Sequence, residues 1–168
     1  QAEDYIFIED QYFRAPVMID AIIARMNEVP ELLLTVVTTD VSWYDGGKKY
    51  TYLADSKLRD LFPDRYQLFF LQTVDLTSED GWLSDTVTFH QQSILTHSKL
   101  RLIDDRYLSV GSCNFNNRGY KYEGEMNLSV LDEDTATSAR QHVLQNLVGP
   151  HWWAYLSNDA QNNFIVMQ

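Results

Sequence analysis

A histidine, a lysine, a serine, an asparagine and a carboxylate fall at strict spacings between His97 and Glu125, in the stretch HSKLRLIDDRYLSVGSCNFNNRGYKYEGE. His97 and Lys99 are two residues apart, which on an extended chain places both side chains on one face. Asp104-Asp105-Arg106 supplies turn residues. Tyr107 to Val110 then leads into Gly111-Ser112-Cys113-Asn114, where the same parity puts Ser112 and Asn114 together. A strand, a tight turn and a second strand would aim an imidazole, an ammonium, a hydroxyl and an amide at one point. That set suits an anionic centre from which a group is displaced, as in a phosphodiester.

The stretch reads H-x-K, four residues, D, six residues, G-S-x-N, and so resembles the signature of the phospholipase D superfamily, also called the HKD family. A second segment agrees: Tyr5-Ile6-Phe7-Ile8-Glu9-Asp10-Gln11-Tyr12-Phe13 is similar to the I-E-N-Q-Y-F segment of those enzymes, with Asp10 where the pattern commonly has Asn. The resemblance implies an α-β-α sandwich half-unit with the signature hairpin at its centre, and chemistry that needs no metal or cofactor. It also implies a site made of two signatures that meet across a pseudo-twofold axis, one histidine attacking and the other protonating the leaving group. One signature is present here, and the I-E-N-Q-Y-F-like segment precedes it. The expectation is therefore the C-terminal half of a longer enzyme, its site completed by a second H-x-K half in the same chain or in another copy.

Each residue then has an expected part. A neutral His97 imidazole can attack phosphorus and a protonated one can donate to the leaving oxygen. Lys99 and Asn114 would bind the non-bridging phosphate oxygens, with Lys99 offsetting charge as the pentacoordinate state develops. Ser112 would add a hydroxyl to that network, and Gln11 would line the pocket near the phosphate, with Glu9, Asp10 and Tyr12 as weaker lining candidates. Glu125, with Glu123 as its competitor, would hold the second nitrogen of His97. Asp104 and Gly111 belong to the motif, and the turn position of Asp104 favours a structural part. Arg118 could touch an anionic substrate or form a surface salt bridge. Cys113, pointed away by parity, is expected as a small buried filler. His90, His142 and His151 have no convincing partners, and a metal site from His90, His97 and Glu125 is not supported.

The 168 residues suffice for one domain with a real core, and 45% hydrophobic content argues for a globular chain. A formal net charge of −11 and a pI near 4.6 weigh against a nucleic-acid substrate and against tight adhesion to anionic lipid. A phospholipid at a membrane surface is the expected substrate, with a cardiolipin-synthase-like transferase or a nuclease as rivals within the same chemistry and a non-catalytic binding half as a rival of another class. Cys113 is the one cysteine, so no intrachain disulfide forms.

The elements that must position these residues read as α/β, a mixed sheet with helices on its faces. Strands are expected at Asp4–Glu9, Leu32–Thr38, Tyr66–Gln72 and Glu125–Leu131, and helices at Ala15–Asn27, Lys48–Leu61 and Thr135–Leu147, the last stopped by Gly149-Pro150. The first strand, helix and second strand suggest a parallel pair. Val74 to Thr96 is expected as a long mixed connection, with a turn at Glu79-Asp80-Gly81-Trp82 and an extended piece over Val87–Leu95.

Overall fold

The computed structural model describes residues 1–40, 46–81 and 84–153, with backbone alone at 74–81, 84–90 and 150–153. Strand β1 (Tyr5–Asp10) stands at the centre of a six-stranded mixed sheet with β2 (Leu33–Thr38), β3 (Tyr66–Phe70), β6 (Lys99–Ile103), β7 (Tyr107–Gly111) and β8 (Asn127–Leu131). The order is β3-β2-β1-β6-β7-β8. On one side β1, β2 and β3 run parallel; on the other β1 meets β6 antiparallel, and β6, β7 and β8 form a meander.

Helices cover both faces, which is why β1 and β2 read as continuous apolar runs. Ile6, Ile8, Leu34 and Val36 pack with α1 (Pro16–Glu28) and α2 (Lys48–Leu61) through Ile19, Ile22, Ile23, Met26, Ala54 and Leu58. Tyr5, Phe7, Leu33 and Val37 face the other way, onto Leu102 and onto Ala139, Val143 and Leu144 of α4 (Glu133–Trp153). The result is the expected α-β-α sandwich. Pro16 opens α1 where its missing N–H is harmless. Asp132 caps α4 by accepting from the Thr135 amide at 2.8 Å. Gly149, at φ 73°, breaks that helix where expected, although helical backbone resumes as far as Trp153.

Four sequence expectations need correction. The expected third strand divides at Leu71, where the chain leaves the main sheet. The long connection after it is a hairpin of its own, β4 (Gln72–Gly81) with β5 (Ser84–Ser93), paired from Gln72↔Ser93 to Gly81↔Ser84. Two polar strands can satisfy each other's backbone without a core face, so little hydrophobic signal announces them; Trp82 of the expected turn lies outside the described residues. A short helix, α3 (Asn117–Lys121), was not anticipated; its start is capped by the Asn116 side chain, which accepts from Gly119 at 2.8 Å. Finally, β6 begins at Lys99 and β8 at Asn127, so His97 and Glu125 both lie just outside their strands.

Candidate active site

Register builds the site. Antiparallel pairing of β1 with β6 sets Asp10 opposite Lys99, which brings the end of the first motif to the start of the second. The Gln11 amide donates to the Ser98 carbonyl at 3.3 Å, and the Ser98 hydroxyl donates to Glu9. The β6–β7 hairpin returns the chain so that Gly111 to Asn114 follows the strand beside them. Beyond it, the Arg14 amide donates to the Phe115 carbonyl at 3.0 Å, and the rings of Phe13 and Phe115 stack 5.2 Å apart. Two segments about a hundred residues apart in sequence thus share backbone bonds and a core contact.

The turn that returns the chain is held from outside. Asp104 and Asp105 both adopt left-handed backbone, φ 52° and 50°, which Asp tolerates better than most residues. The Asp104 carboxylate accepts from the amides of Glu3, Asp4 and Tyr5 at 2.7, 2.9 and 2.8 Å. Asp105 accepts from the Tyr5 hydroxyl at 2.7 Å and from two nitrogens of Arg140 at 2.8 and 2.9 Å. Burial, then the hydrogen bond to Asp105 and its charge, raises the Tyr5 hydroxyl far above its usual pKa. The motif aspartate therefore fastens the hairpin to the start of β1. At the other end of β7, a Cβ on Gly111 would lie 2.1 Å from Asn127 Oδ1 and 2.3 Å from the Met126 carbonyl, so only glycine fits against β8.

His97 is exposed, and its ring makes no hydrogen bond among the described residues. Lys99 is 7% exposed, and its ammonium donates to the His97 carbonyl at 2.7 Å. Burial lowers the Lys99 pKa, while Asp10 and Glu125 act to raise it. Asn114 carries a buried Oδ1 with no partner among the described residues. Lys99 is thus bonded to the residue that carries the imidazole, and Asn114, next to the Phe115 amide held by Asp10, brings an under-satisfied amide to the same junction, where it suits a ligand.

Ser112 lies beyond β7, which ends at Gly111. Ser112 is exposed, and its hydroxyl accepts from the Met126 amide at 3.1 Å, which fastens it to the approach of β8. Glu125 is half-buried and bears electrostatically on Lys99 and Cys113; no hydrogen bond joins it to His97. Glu123 forms an ion pair with Arg118, which borders a cavity of about 300 Å³ together with Arg14, Tyr50 and Asn117. Gln11 is half-buried, and Tyr12 lies beneath the Arg14 guanidinium, 3.9 Å from its ring centre. Cys113 is buried, and burial raises its thiol pKa. His142 is exposed on α4 and bonded to the Ser138 carbonyl at 2.8 Å. The side chains of His90 and His151 lie outside the described residues.

Two residues matter more in the structure than in the sequence reading. Asp10 is fully buried. Its Oδ1 accepts from the Tyr12 and Phe115 amides at 3.1 and 3.0 Å, and its Oδ2 accepts from Arg101 at 3.2 Å. Burial pushes its pKa up to about 6, against the pull of those two amides and of Arg101 and Lys99. Arg101, 11% exposed, also donates to the Cys113 carbonyl at 3.0 Å and lies 5.7 Å from the Phe115 ring centre. The signal for both was present: Asp10 is the departure from the resembled pattern, and Arg101 is a cation sharing Lys99's parity inside an otherwise apolar strand.

A mixed-sheet α-β-α sandwich carrying H-x-K and G-S-x-N at the adjoining ends of two central strands is the architecture of a phospholipase D-like domain. The chain belongs to that family: the family model described as cardiolipin synthase, PLD-like domain, matches residues 1–147. Among curated proteins it is similar to cardiolipin synthase 2 of Staphylococcus epidermidis, 34% identical over 59 residues, 35% of this chain and 12% of that protein. Cardiolipin synthase 1 of the same organism is 40% identical over 50 residues, 30% of this chain and 10% of that protein. The matched stretch is therefore a small fraction of either relative's length. In fold the chain is similar to NucT from Helicobacter pylori (TM-score 0.59, 15% identity, 88% of this chain and 80% of that one). It is also similar to Nuc, a phospholipase D family member from Salmonella typhimurium (TM-score 0.57, 15% identity, with the same coverage). A third likeness is to phosphatidylserine synthase of Haemophilus influenzae (TM-score 0.54, 20% identity, 90% of this chain and 34% of that one).

Proposed function

We propose that this domain is the signature-bearing half of a phospholipase D-type enzyme that breaks the head-group phosphodiester of a glycerophospholipid through a phosphohistidine. One observation carries the reading: an exposed imidazole, a buried ammonium bonded to that histidine's carbonyl, and a buried amide oxygen without a partner among the described residues, all at the junction of the two motifs. The nucleophilic histidine of the second half attacks phosphorus, forming an N–P bond as the P–O bond to the head group breaks. His97 gives its proton to the departing oxygen. Water then attacks phosphorus, loses its proton to His97 and breaks the N–P bond. Lys99 and Asn114 hold the non-bridging oxygens throughout, and Glu125 supplies negative charge beside Lys99.

The second half would seat itself beside β8. This strand forms the sheet edge, begins two residues after Glu125 and exposes Leu128 and Leu131, with Met126 exposed just before it. A bare apolar edge next to half a site suits a covering partner. None of the helices among the described residues is long and apolar enough to cross a membrane, so phospholipid would be met at a surface.

A second reading, a cardiolipin-synthase-like phosphatidyltransferase, is favoured by the family model and by both curated relatives. It differs only in the acceptor, an alcohol in place of water. Incubating the full-length protein with labelled phosphatidylglycerol separates them: free phosphatidic acid marks hydrolysis and cardiolipin marks transfer. A His97→Ala variant should lose at least ~10³-fold in kcat. Unchanged turnover would refute both readings, and vesicle binding without turnover would favour a non-catalytic half.

A further inference from the structure

Asp10 reaches both motifs through one carboxylate. Its Oδ1 takes the amide of Tyr12, the residue after Gln11, and the amide of Phe115, the residue after Asn114. Its Oδ2 takes Arg101, whose other bond goes to the carbonyl of Cys113, the residue before Asn114. Asn114 is thus gripped on both sides by the same buried pair. We propose that Asp10, with Arg101, is a positioning latch: its negative charge holds the turn carrying Asn114 against the segment carrying Gln11, and it lets Lys99 stay charged while buried.

The charges around it give the latch its direction. From β6, Lys99 lies opposite Asp10 in the register and Arg101 shares its face. From the turn after β7 comes Cys113, and from α3 comes Tyr120, 5.9 Å from Arg101; the Asp10 charge bears on both. Glu125 bears on Lys99 as well. Protonating Asp10 would leave two buried cations, Lys99 and Arg101, close together with Glu125 as the remaining counter-charge. With that shared anion neutralised, the Arg101–Asp10 bond loses its charge assistance and the Arg101 grip slackens. The midpoint of that change is set by the same burial that holds the carboxyl near 6.

The inference rests on the phosphodiesterase reading for its consequence, but its geometry can be tested without turnover. In the full-length protein labelled with ¹⁵N-Tyr and ¹⁵N-Phe, the Tyr12 and Phe115 amides should titrate together between pH 4.5 and 8 with one midpoint near 6. In Asp10→Asn both should stay flat. Separate midpoints, or the same titration in the variant, would overturn the latch. The wild-type titration needs no variant, so poor folding of Asp10→Asn does not remove the test. In turnover of phospholipid micelles at pH 8, Asp10→Asn and Arg101→Met should each lower kcat on the order of 10²-fold, as small misplacements do. The double variant should lose no more than the worse single, because one pair is broken; additive losses would count against the latch. Normal activity in His97→Ala alongside shared titration of the two amides would refute the enzyme reading and support the latch.

Discussion

At the residue scale, the site depends on charge kept where water is scarce. Lys99 is the clearest case: its stem lies in the sheet, its ammonium bonds the His97 carbonyl, and burial pulls its pKa down while two carboxylates push it up. Lys99→Met keeps the packing and removes the charge. Turnover should fall about 10²- to 10³-fold, the size seen when one oxyanion donor is lost. Thermal unfolding should move little, because a buried charge leaves with the function. Equal activity in this variant would remove Lys99 from the phosphate site. Ser112 is the contrasting case, a motif residue whose hydroxyl is engaged by the Met126 backbone.

At the element scale, the β6–β7 hairpin is aimed by its turn. Asp104 gathers three amides from the start of β1, and Asp105 binds an Arg140 that is 1% exposed on α4. The turn is therefore fixed to a strand and to a helix, and the hairpin ends that carry His97, Lys99 and Asn114 inherit that stiffness. Asp104→Ala removes the acceptor and forces alanine into left-handed backbone. The loss should be on the order of 3 kcal/mol in urea unfolding, and Asp104→Asn, which tolerates that backbone and keeps one acceptor, should lose less. Full stability in Asp104→Ala would show that the three amides are satisfied by water instead.

At the scale of the whole molecule, function and stability pull apart at Asp10. Its carboxyl titrates near 6 in the fold against about 3.9 in an unfolded chain, so between those values the folded state holds the extra proton. The contribution to stability is full below about pH 4 and is lost as pH rises through about 6, roughly 2–3 kcal/mol in total. The wild type, measured against Asp10→Asn by denaturant unfolding, should therefore lose ground over that window. A constant difference would place Asp10 near its ordinary pKa. The charge that is proposed to hold Asn114 is thus kept against a folding cost, and the rest of the sandwich supplies the margin.

Much of this was legible without coordinates, because the signals are local. Strand and helix periods marked β1, β2, α1 and α2, and the offsets from His97 to Asn114 marked the hairpin. Where the signal was weak, as in the polar β4 and β5, or depended on a single cap, as in α3, the reading missed the element. The Ser112 hydroxyl is engaged by the backbone at the approach to β8, a contact that local spacing could not announce. The order of chemical residues and the α/β class were therefore determined by the sequence itself. The β1–β2 pair and the β6–β7 hairpin were expected from the sequence as well, but that β1 meets β6 was decided by tertiary structure alone. Asp10 faces Lys99, grips Phe115 and pairs with Arg101 across about a hundred residues of chain, and a carboxylate acquires that role only once burial removes water and the register brings its partners into reach.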